Sequence, residues 1–220
     1  MAGKVLVDNV PATKPGVSVG ERQEIRLRGQ DHPYVSRGGV KLASALTEFQ
    51  ISANGRTAMD VGASTGGFTQ VLLLDGAVEV FAVDVGHSQL DWKIRSDPKV
   101  KVFEHLNARY IRFEQIGKQV DVIVVDVSFI SLKLILPALL QFSHERSDWI
   151  TLIKPQFEVG RANVGKKGIV TSEEAKLEVL RDLHEFGASI GLVQTNVLES
   201  PIHGTDGNQE YLARWQLKNP

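Results

Sequence analysis

Thr57-Ala-Met-Asp60-Val-Gly62-Ala-Ser-Thr-Gly66-Gly67-Phe68 is the stretch that decides the fold. A short apolar run enters a glycine-rich turn, and Phe68–Leu74 then reads as helix. The same alternation continues downstream. Val78–Val85 is a second apolar run containing Asp84, Lys101–Glu104 a weaker third, and Val120–Val127 a strong fourth containing Asp126. Leu132–Phe142 reads as helix, and Trp149–Ile153 as a fifth strand ending at Lys154-Pro155. Ser172 is the expected N-cap of an amphipathic helix reaching about Phe186. Leu192–Leu198 and Glu210–Leu217 close the series. Near-continuous apolar strands separated by helices predict a mostly parallel seven-stranded sheet with helices on both faces, an α/β fold.

Upstream, the pattern becomes helical from Gly38, with Val40, Leu42, Ala43, Ala45 and Leu46 before Phe49. Residues before that read as short strands and turns with little core of their own, a β appendage. The expected division is therefore 1–33 for the appendage and linker and 34–220 for the α/β domain.

Composition narrows the chemistry. The 220 residues contain no cysteine, which excludes disulfides, thiolate metal sites and cysteine nucleophiles. No run is long and apolar enough to span a membrane; Val127–Phe142 is too short and carries Lys133 and Pro137. The start, Met1-Ala-Gly-Lys4, lacks a signal-peptide apolar core. The 25 basic and 26 acidic side chains leave a net charge of −1, no whole-chain signature of nucleic-acid binding. The charge is uneven, because residues 1–41 hold 7 basic and 4 acidic side chains. That basic head reads either as a polyanion-facing surface or as ordinary surface statistics.

In sheets of this kind ligands bind at the carboxyl ends of the strands, near the point where strand order reverses. No lysine follows the glycines of Asp60–Gly67, so a phosphate-binding P-loop is excluded. Asp60 would repel a dinucleotide's pyrophosphate, which fits a nicotinamide dehydrogenase poorly. It would attract a cation such as the ammonium and sulfonium of S-adenosylmethionine, by roughly 1–4 kcal/mol at contact. Asp84 is placed to accept hydrogen bonds from ribose hydroxyls, or else to cap a helix. Asn107 could bond an adenine edge, or be an ordinary polar loop residue.

Asp126 and Lys154 end neighbouring strand runs and should project into one cleft. Lys41 lies on the helix preceding the sheet, and Glu210 begins the last strand. Each has a bland reading as a cap or surface charge. Together, two amines and two carboxylates around a cationic cofactor suggest deprotonation of a weakly acidic hydroxyl. The histidines have no zinc-site spacing, so no metal is expected. Ser128 and Ser131 lack a Gly-x-Ser-x-Gly elbow. Lys154–Lys167, with Glu158 as its one acid, reads as a basic loop over the cleft, either solvated or contacting phosphate.

Tyr34-Val-Ser-Arg37-Gly-Gly-Val-Lys41-Leu, Asp60–Thr69, Asp121-Val-Ile-Val-Val-Asp126-Val-Ser-Phe-Ile-Ser131, Leu152-Ile-Lys154-Pro-Gln-Phe-Glu158 and Gly207-Asn-Gln-Glu210-Tyr-Leu resemble the TlyA (hemolysin A) proteins, which are FtsJ-like methyltransferases. The resemblance covers nearly the whole chain from Val5. It implies a Rossmann-like S-adenosylmethionine-dependent fold and methylation of ribose 2′-hydroxyls in ribosomal RNA, with ribosomal RNA or ribosomal subunits as partners. It further implies a catalytic tetrad of Lys41, Asp126, Lys154 and Glu210. The cofactor would be held by Asp60, Gly62, Ser64, Thr65, Gly66, Gly67, Asp84, Asn107 and Asp126. The basic head and basic loop then supply candidate RNA contacts at Lys14, Arg37, Arg161, Lys166 and Lys167. A cytoplasmic location follows from that substrate. The family usually begins with an RNA-binding module of the alpha-L type, and residues 1–33 are expected to be its last strands, without its helical half. Two other readings stay open: a non-catalytic RNA-binding or ribosome-associated protein, and a membrane-lytic hemolysin as the family name suggests. The helix from Ser172 is too acidic to seek anionic lipid, which disfavours the second.

Overall fold

The computed structural model describes residues 5–14, 16–27, 32–160, 164–165, 168–204 and 206–218. They fall into two compact units, Met1–Pro33 and Tyr34–Pro220. The first is a small antiparallel sheet of β1 (Val5–Val7), β2 (Val10–Pro11) and β3 (Ile25–Leu27), in the order β2-β1-β3. Asp8 and Asn9 take positive φ in the β1–β2 turn, a conformation that Asx residues tolerate better than most. The Asp8 carboxylate accepts from the Glu24 amide (3.0 Å) and the Gln23 side chain (2.9 Å), tying the turn to the approach to β3.

The second unit opens with α1 (Gly38–Phe49). It then alternates as β4 (Thr57–Val61), α2 (Gly67–Leu74), β5 (Glu79–Val83), α3 (Trp92–Arg95), β6 (Val100–Phe103), α4 (Phe113–Ile116), β7 (Val120–Val125), α5 (Leu136–Leu139), β8 (Ser143–Ile153), α6 (Pro155–Glu158), α7 (Glu173–Ser189), β9 (Leu192–Glu199) and β10 (Tyr211–Leu217). The seven strands run in the order β6-β5-β4-β7-β8-β10-β9. All pairings from β6 to β8 are parallel, whereas β10 lies antiparallel between β8 and β9. The strand order reverses between β4 and β7.

Alternation along each strand builds two cores. Leu42, Leu46 and Phe49 of α1 and Phe68, Val71 and Leu72 of α2 pack on Ala58, Val80, Val122, Val124, Ile150 and Leu212. On the other face, Leu136, Leu139, Val179 and Leu183 pack on Met59, Val61, Ile123, Val125, Trp149 and Trp215. Trp149 and Trp215 are fully buried, and each such ring removes a large apolar surface from water. Gly187 of α7 admits Trp215: a Cβ there would stand 2.5 Å from its Cζ3.

Two elements differ from the sequence expectation. β8 begins at Ser143 rather than Trp149, because Ser147 Oγ donates to the Val120 carbonyl (2.7 Å) and His144 pairs with Asp121 (3.1 Å), so the polar stretch is stitched to β7. The helix expected over Leu132–Phe142 is broken into short pieces around Pro137, which lacks an amide donor. Ser172 caps α7 as expected, its Oγ accepting from the Ala175 amide at 3.2 Å.

Candidate functional site

The carboxyl ends of β4, β5 and β7 frame a cleft of about 450 Å³, within the range typical of small-molecule sites. Gly62, Ser64, Asp84, Asn107 and Asp126 line it, with Val127, Ser128, Phe129 and Ile130 forming one wall. The glycine turn is shaped for close approach. Gly62 has φ +86°, and a Cβ there would stand 2.3 Å from the Asp126 carbonyl oxygen. Its amide and that of Ala63 both donate to the Val83 carbonyl, at 2.8 and 3.2 Å. Ser64 sits at φ +47°, and its amide donates to Asp84 Oδ2 (2.8 Å) while the Gly86 amide donates to Oδ1 (2.7 Å). Asp84 is thus a clasp between two loops rather than a helix cap. Each of its oxygens accepts one of these bonds and has capacity for another.

Asn107 caps a short 3-10 turn, its Oδ1 accepting from the Arg109 amide at 3.0 Å, which leaves the side-chain NH₂ for another partner. Thr65, Gly66 and Gly67 do not line the cleft. Gly66 makes room for Leu90 and Ile94, and a Cβ at Gly67 would meet Ser36 Oγ at 2.2 Å, so these glycines serve packing at the start of α2. Asp60 lies beneath the cleft with no exposed surface. Its Oδ2 accepts from Thr69 Oγ1 at 2.6 Å, and its Oδ1 has no partner among the described residues. Burial pushes the Asp60 carboxyl up to about 7, the Thr69 hydroxyl opposing and the Asp126 and Asp84 carboxylates adding to the rise.

The four residues expected to move a proton gather at the same edge of the sheet as two ion pairs. Register explains why: Tyr211 pairs with Ile153, which places Glu210 beside Lys154, and Asp126 follows the last pairing of β7. Lys41 of α1 pairs with Glu210, their side chains only 9% and 4% exposed. Lys154 Nζ stands 2.6 Å from Asp126 Oδ1 as an ion pair without hydrogen-bond alignment, and donates to Ser128 Oγ at 2.8 Å. Asp126 lines the cleft, whereas Lys41, Lys154 and Glu210 are not among its lining residues.

Sequence reasoning missed the aromatic and acidic residues around Lys154. Phe129 is 91% exposed at the cleft rim, takes φ +65° and tilts against Phe157 with ring centroids 5.1 Å apart. A bulky residue at positive φ is rare and is held there by its surroundings. Within the run Val127–Phe142 it gave no signal apart from apolarity. Glu158, the end of the Leu152–Glu158 motif and the one acid of the basic loop but assigned no role from sequence, accepts from Ser131 Oγ (2.5 Å) and the Leu132 amide (2.9 Å). Burial raises its carboxyl above the ordinary range against the pull of those hydrogen bonds. Lys14 and Arg37 are exposed, while Arg161, Lys166 and Lys167 lie outside the described residues. Among the described residues no group of three or more His, Asp or Glu is arranged to hold a metal ion.

The donor set suits the cofactor expected from the sequence. Asp84, Asp126 and Asn107 line the cleft with carboxylate acceptors and an amide donor, and the Asp60 Oδ1 is a buried acceptor without a partner among the described residues. The FtsJ-like methyltransferase family model matches residues 34–216. A 16S/23S rRNA (cytidine-2′-O)-methyltransferase TlyA of Mycobacterium tuberculosis is 43% identical over 211 residues, 96% of this chain and 79% of its own length. A solved protein of Streptococcus thermophilus described as a hemolysin superposes with TM-score 0.87 at 40% identity, covering 100% of this chain and 80% of that one. A Listeria monocytogenes structure described as an S-adenosylmethionine-dependent methyltransferase shares the fold alone, with TM-score 0.62 at 14% identity over 84% of this chain and 100% of its own. With the family model spanning residues 34–216 and relatives matching nearly its whole length, the chain belongs to the FtsJ-like methyltransferase family, in the TlyA/hemolysin A group.

Proposed function

We propose that the chain methylates the ribose 2′-hydroxyl of cytidine in ribosomal RNA, using S-adenosylmethionine. The observation that carries this reading is the pair of lysine–carboxylate couples at the carboxyl edge of the sheet, one of them, Lys154–Asp126, beside the glycine cleft. When bound, S-adenosylmethionine supplies a sulfonium whose methyl carbon is open to in-line displacement. The chain does the rest. Asp84 accepts from ribose hydroxyls with the lone pairs its loop amides leave free, and the Asn107 NH₂ donates to the adenine edge. Asp126 provides the negative field for the methionine cation, and that cation in turn favours ionisation of the buried Asp60 carboxyl. Once its ammonium has released a proton to solvent, the neutral amine of Lys154 would take the proton that the 2′-hydroxyl loses on methyl transfer. Asp126 and Ser128 hold that amine in place, and the Lys41–Glu210 pair supports the same edge from below. Phe129 offers a flat apolar face at the rim on which a nucleobase can rest. Residues 1–33 with Lys14, together with Arg37, Arg161, Lys166 and Lys167, contribute phosphate contacts, so RNA binding should weaken with salt.

The relative from M. tuberculosis supports the choice of acceptor, since its name gives cytidine 2′-O methylation of 16S/23S rRNA. Transfer of labelled methyl from S-adenosylmethionine to unmodified ribosomal RNA tests the reading, with a nuclease digest to locate the label on ribose. Label on a base, or equal transfer by Lys154→Ala, would sink it. Calorimetry with S-adenosylmethionine separates this reading from a non-catalytic RNA-binding protein, which would give no heat.

A further inference from the structure

The ladder between β7 and β8 ends at Val125–Thr151, yet the residues that matter lie just beyond it. Asp126 is held by one backbone bond, its amide to the Val61 carbonyl at 2.9 Å. From Val127 to Ile130, the segment forming one wall of the cleft, the described residues show no backbone–backbone hydrogen bond. Backbone without such bonds, carrying a phenylalanine at φ +65°, needs other restraints.

Those restraints come from α6 and the residue that precedes it. Lys154 reaches Asp126 and Ser128, Phe157 packs against Phe129, and the Glu158 carboxylate closes the series on Ser131 and Leu132. Glu158 differs from the others in kind. It accepts two hydrogen bonds across 26 and 27 residues of sequence, one from an amide that opens the 3-10 turn at Leu132–Leu134, where an anion is favoured. Ser131 completes a relay, since its hydroxyl donates to Glu158 while accepting from the Lys133 amide at 3.1 Å.

We infer that Glu158 is a positioning residue, a carboxylate clasp that fixes the cleft wall 127–130 against the loop bearing Lys154 and so couples the cofactor site to the acceptor site. The clasp rests on the proposed function for its consequence in catalysis, but its geometry can be read separately. Removing it frees one end of the wall while leaving the ladder and both tetrad ion pairs in place. Glu158→Gln keeps an acceptor for the Leu132 amide and an NH₂ that can donate to Ser131 Oγ, so it should preserve the clasp.

The test compares wild type, Glu158→Ala, Glu158→Gln and Ser131→Ala by hydrogen exchange without ligand, then by S-adenosylmethionine titration and methyl-transfer kinetics. In Glu158→Ala the amides of Lys133, Leu134 and Ile135 should exchange roughly tenfold faster or more, with those of α7 unchanged. Cofactor affinity and kcat should fall together, each by roughly tenfold, and Glu158→Gln should restore both. If Glu158→Ala fails to fold, Ser131→Ala, which leaves the Leu132 amide bonded, carries the same comparison with a smaller effect, read at Leu134 and Ile135 alone because the Lys133 amide loses its own acceptor. Unchanged exchange at Leu134 and Ile135 in these variants would overturn the clasp, as would a Glu158→Gln variant as impaired as Glu158→Ala. Exchange is read without ligand, so it decides the clasp even where wild type transfers no methyl group, a result that would sink the proposed function instead.

Discussion

Replacing Asp60 by asparagine should change how stability depends on pH, and the structure gives the sign and size. The Asp60 carboxyl is held at about 7 in the folded chain against an ordinary value of 3.8, because burial disfavours its anion more than Thr69 favours it. A carboxyl raised on folding binds its proton more tightly in the native state than in the unfolded one. Its contribution is therefore complete below the unfolded value and is lost as pH rises through the folded one. The separation corresponds to about 4 kcal/mol at 1.36 kcal/mol per pH unit. In Asp60→Asn the amide oxygen can still accept from Thr69 but the side chain cannot ionise, so the variant escapes that loss. Its NH₂ would occupy the place of the unpartnered Oδ1, a cost that does not vary with pH and so drops out of the slope. Urea unfolding of both proteins between pH 4 and 8 measures the effect. The unfolding free energy of Asp60→Asn minus that of wild type should rise with pH, by up to about 4 kcal/mol, and then level off. A flat difference, or one that falls with pH, would refute the assignment of a buried, proton-binding Asp60. Carboxylates that do not interact with Asp60 titrate alike in both proteins and cancel, and only Asp126 and Asp84 couple to it.

Lys154→Ala should lower methyl transfer by roughly 10²–10⁴-fold in single-turnover assays while leaving S-adenosylmethionine affinity, measured by calorimetry, close to wild type. Gly62→Ala places a Cβ 2.3 Å from the Asp126 carbonyl at φ +86°, so cofactor binding should be lost together with roughly 1–3 kcal/mol of stability in urea titrations. Gly187→Ala drives a methyl to within 2.5 Å of the Trp215 ring and should cost roughly 1–3 kcal/mol by tryptophan-monitored unfolding. Lys41→Met should destabilise by about 3–5 kcal/mol because it strands a buried Glu210, and Lys41→Met with Glu210→Leu should recover most of that stability in the same assay without recovering transfer.

The sheet was legible because its signal is local. Five parallel strands written as Val-, Ile- and Ala-rich runs can be found from period and composition alone, and Ser172 marks the start of α7 by its own chemistry. β8 was legible only in part, since its first residues, Ser143–Arg146, are polar and become strand through contacts with Val120 and Asp121, distant in sequence. The same limit governs the site. Asp126, Lys154 and Glu210 could be placed together because strand ends converge at one edge of the sheet whatever the loops do. The distinct burial of Lys41–Glu210 and the second engagement of Asp84 depend on loop conformation, which no periodicity encodes.

Phe129 and Glu158 show where this boundary has a physical origin. A strand end is fixed by the ladder behind it, so its chemistry follows from its position in the chain. The segment beyond β7 has no ladder, and its shape is set by side chains on α6, more than twenty residues later. An acid in a basic loop and an aromatic in an apolar run are both ordinary when read singly, and they acquire meaning only as partners of Ser131 and Phe157. Residues that bear reactive groups are therefore the readable part of such a site. Residues that hold those groups in place are not, and among the described residues they gather around a wall of the cleft that the sheet does not build.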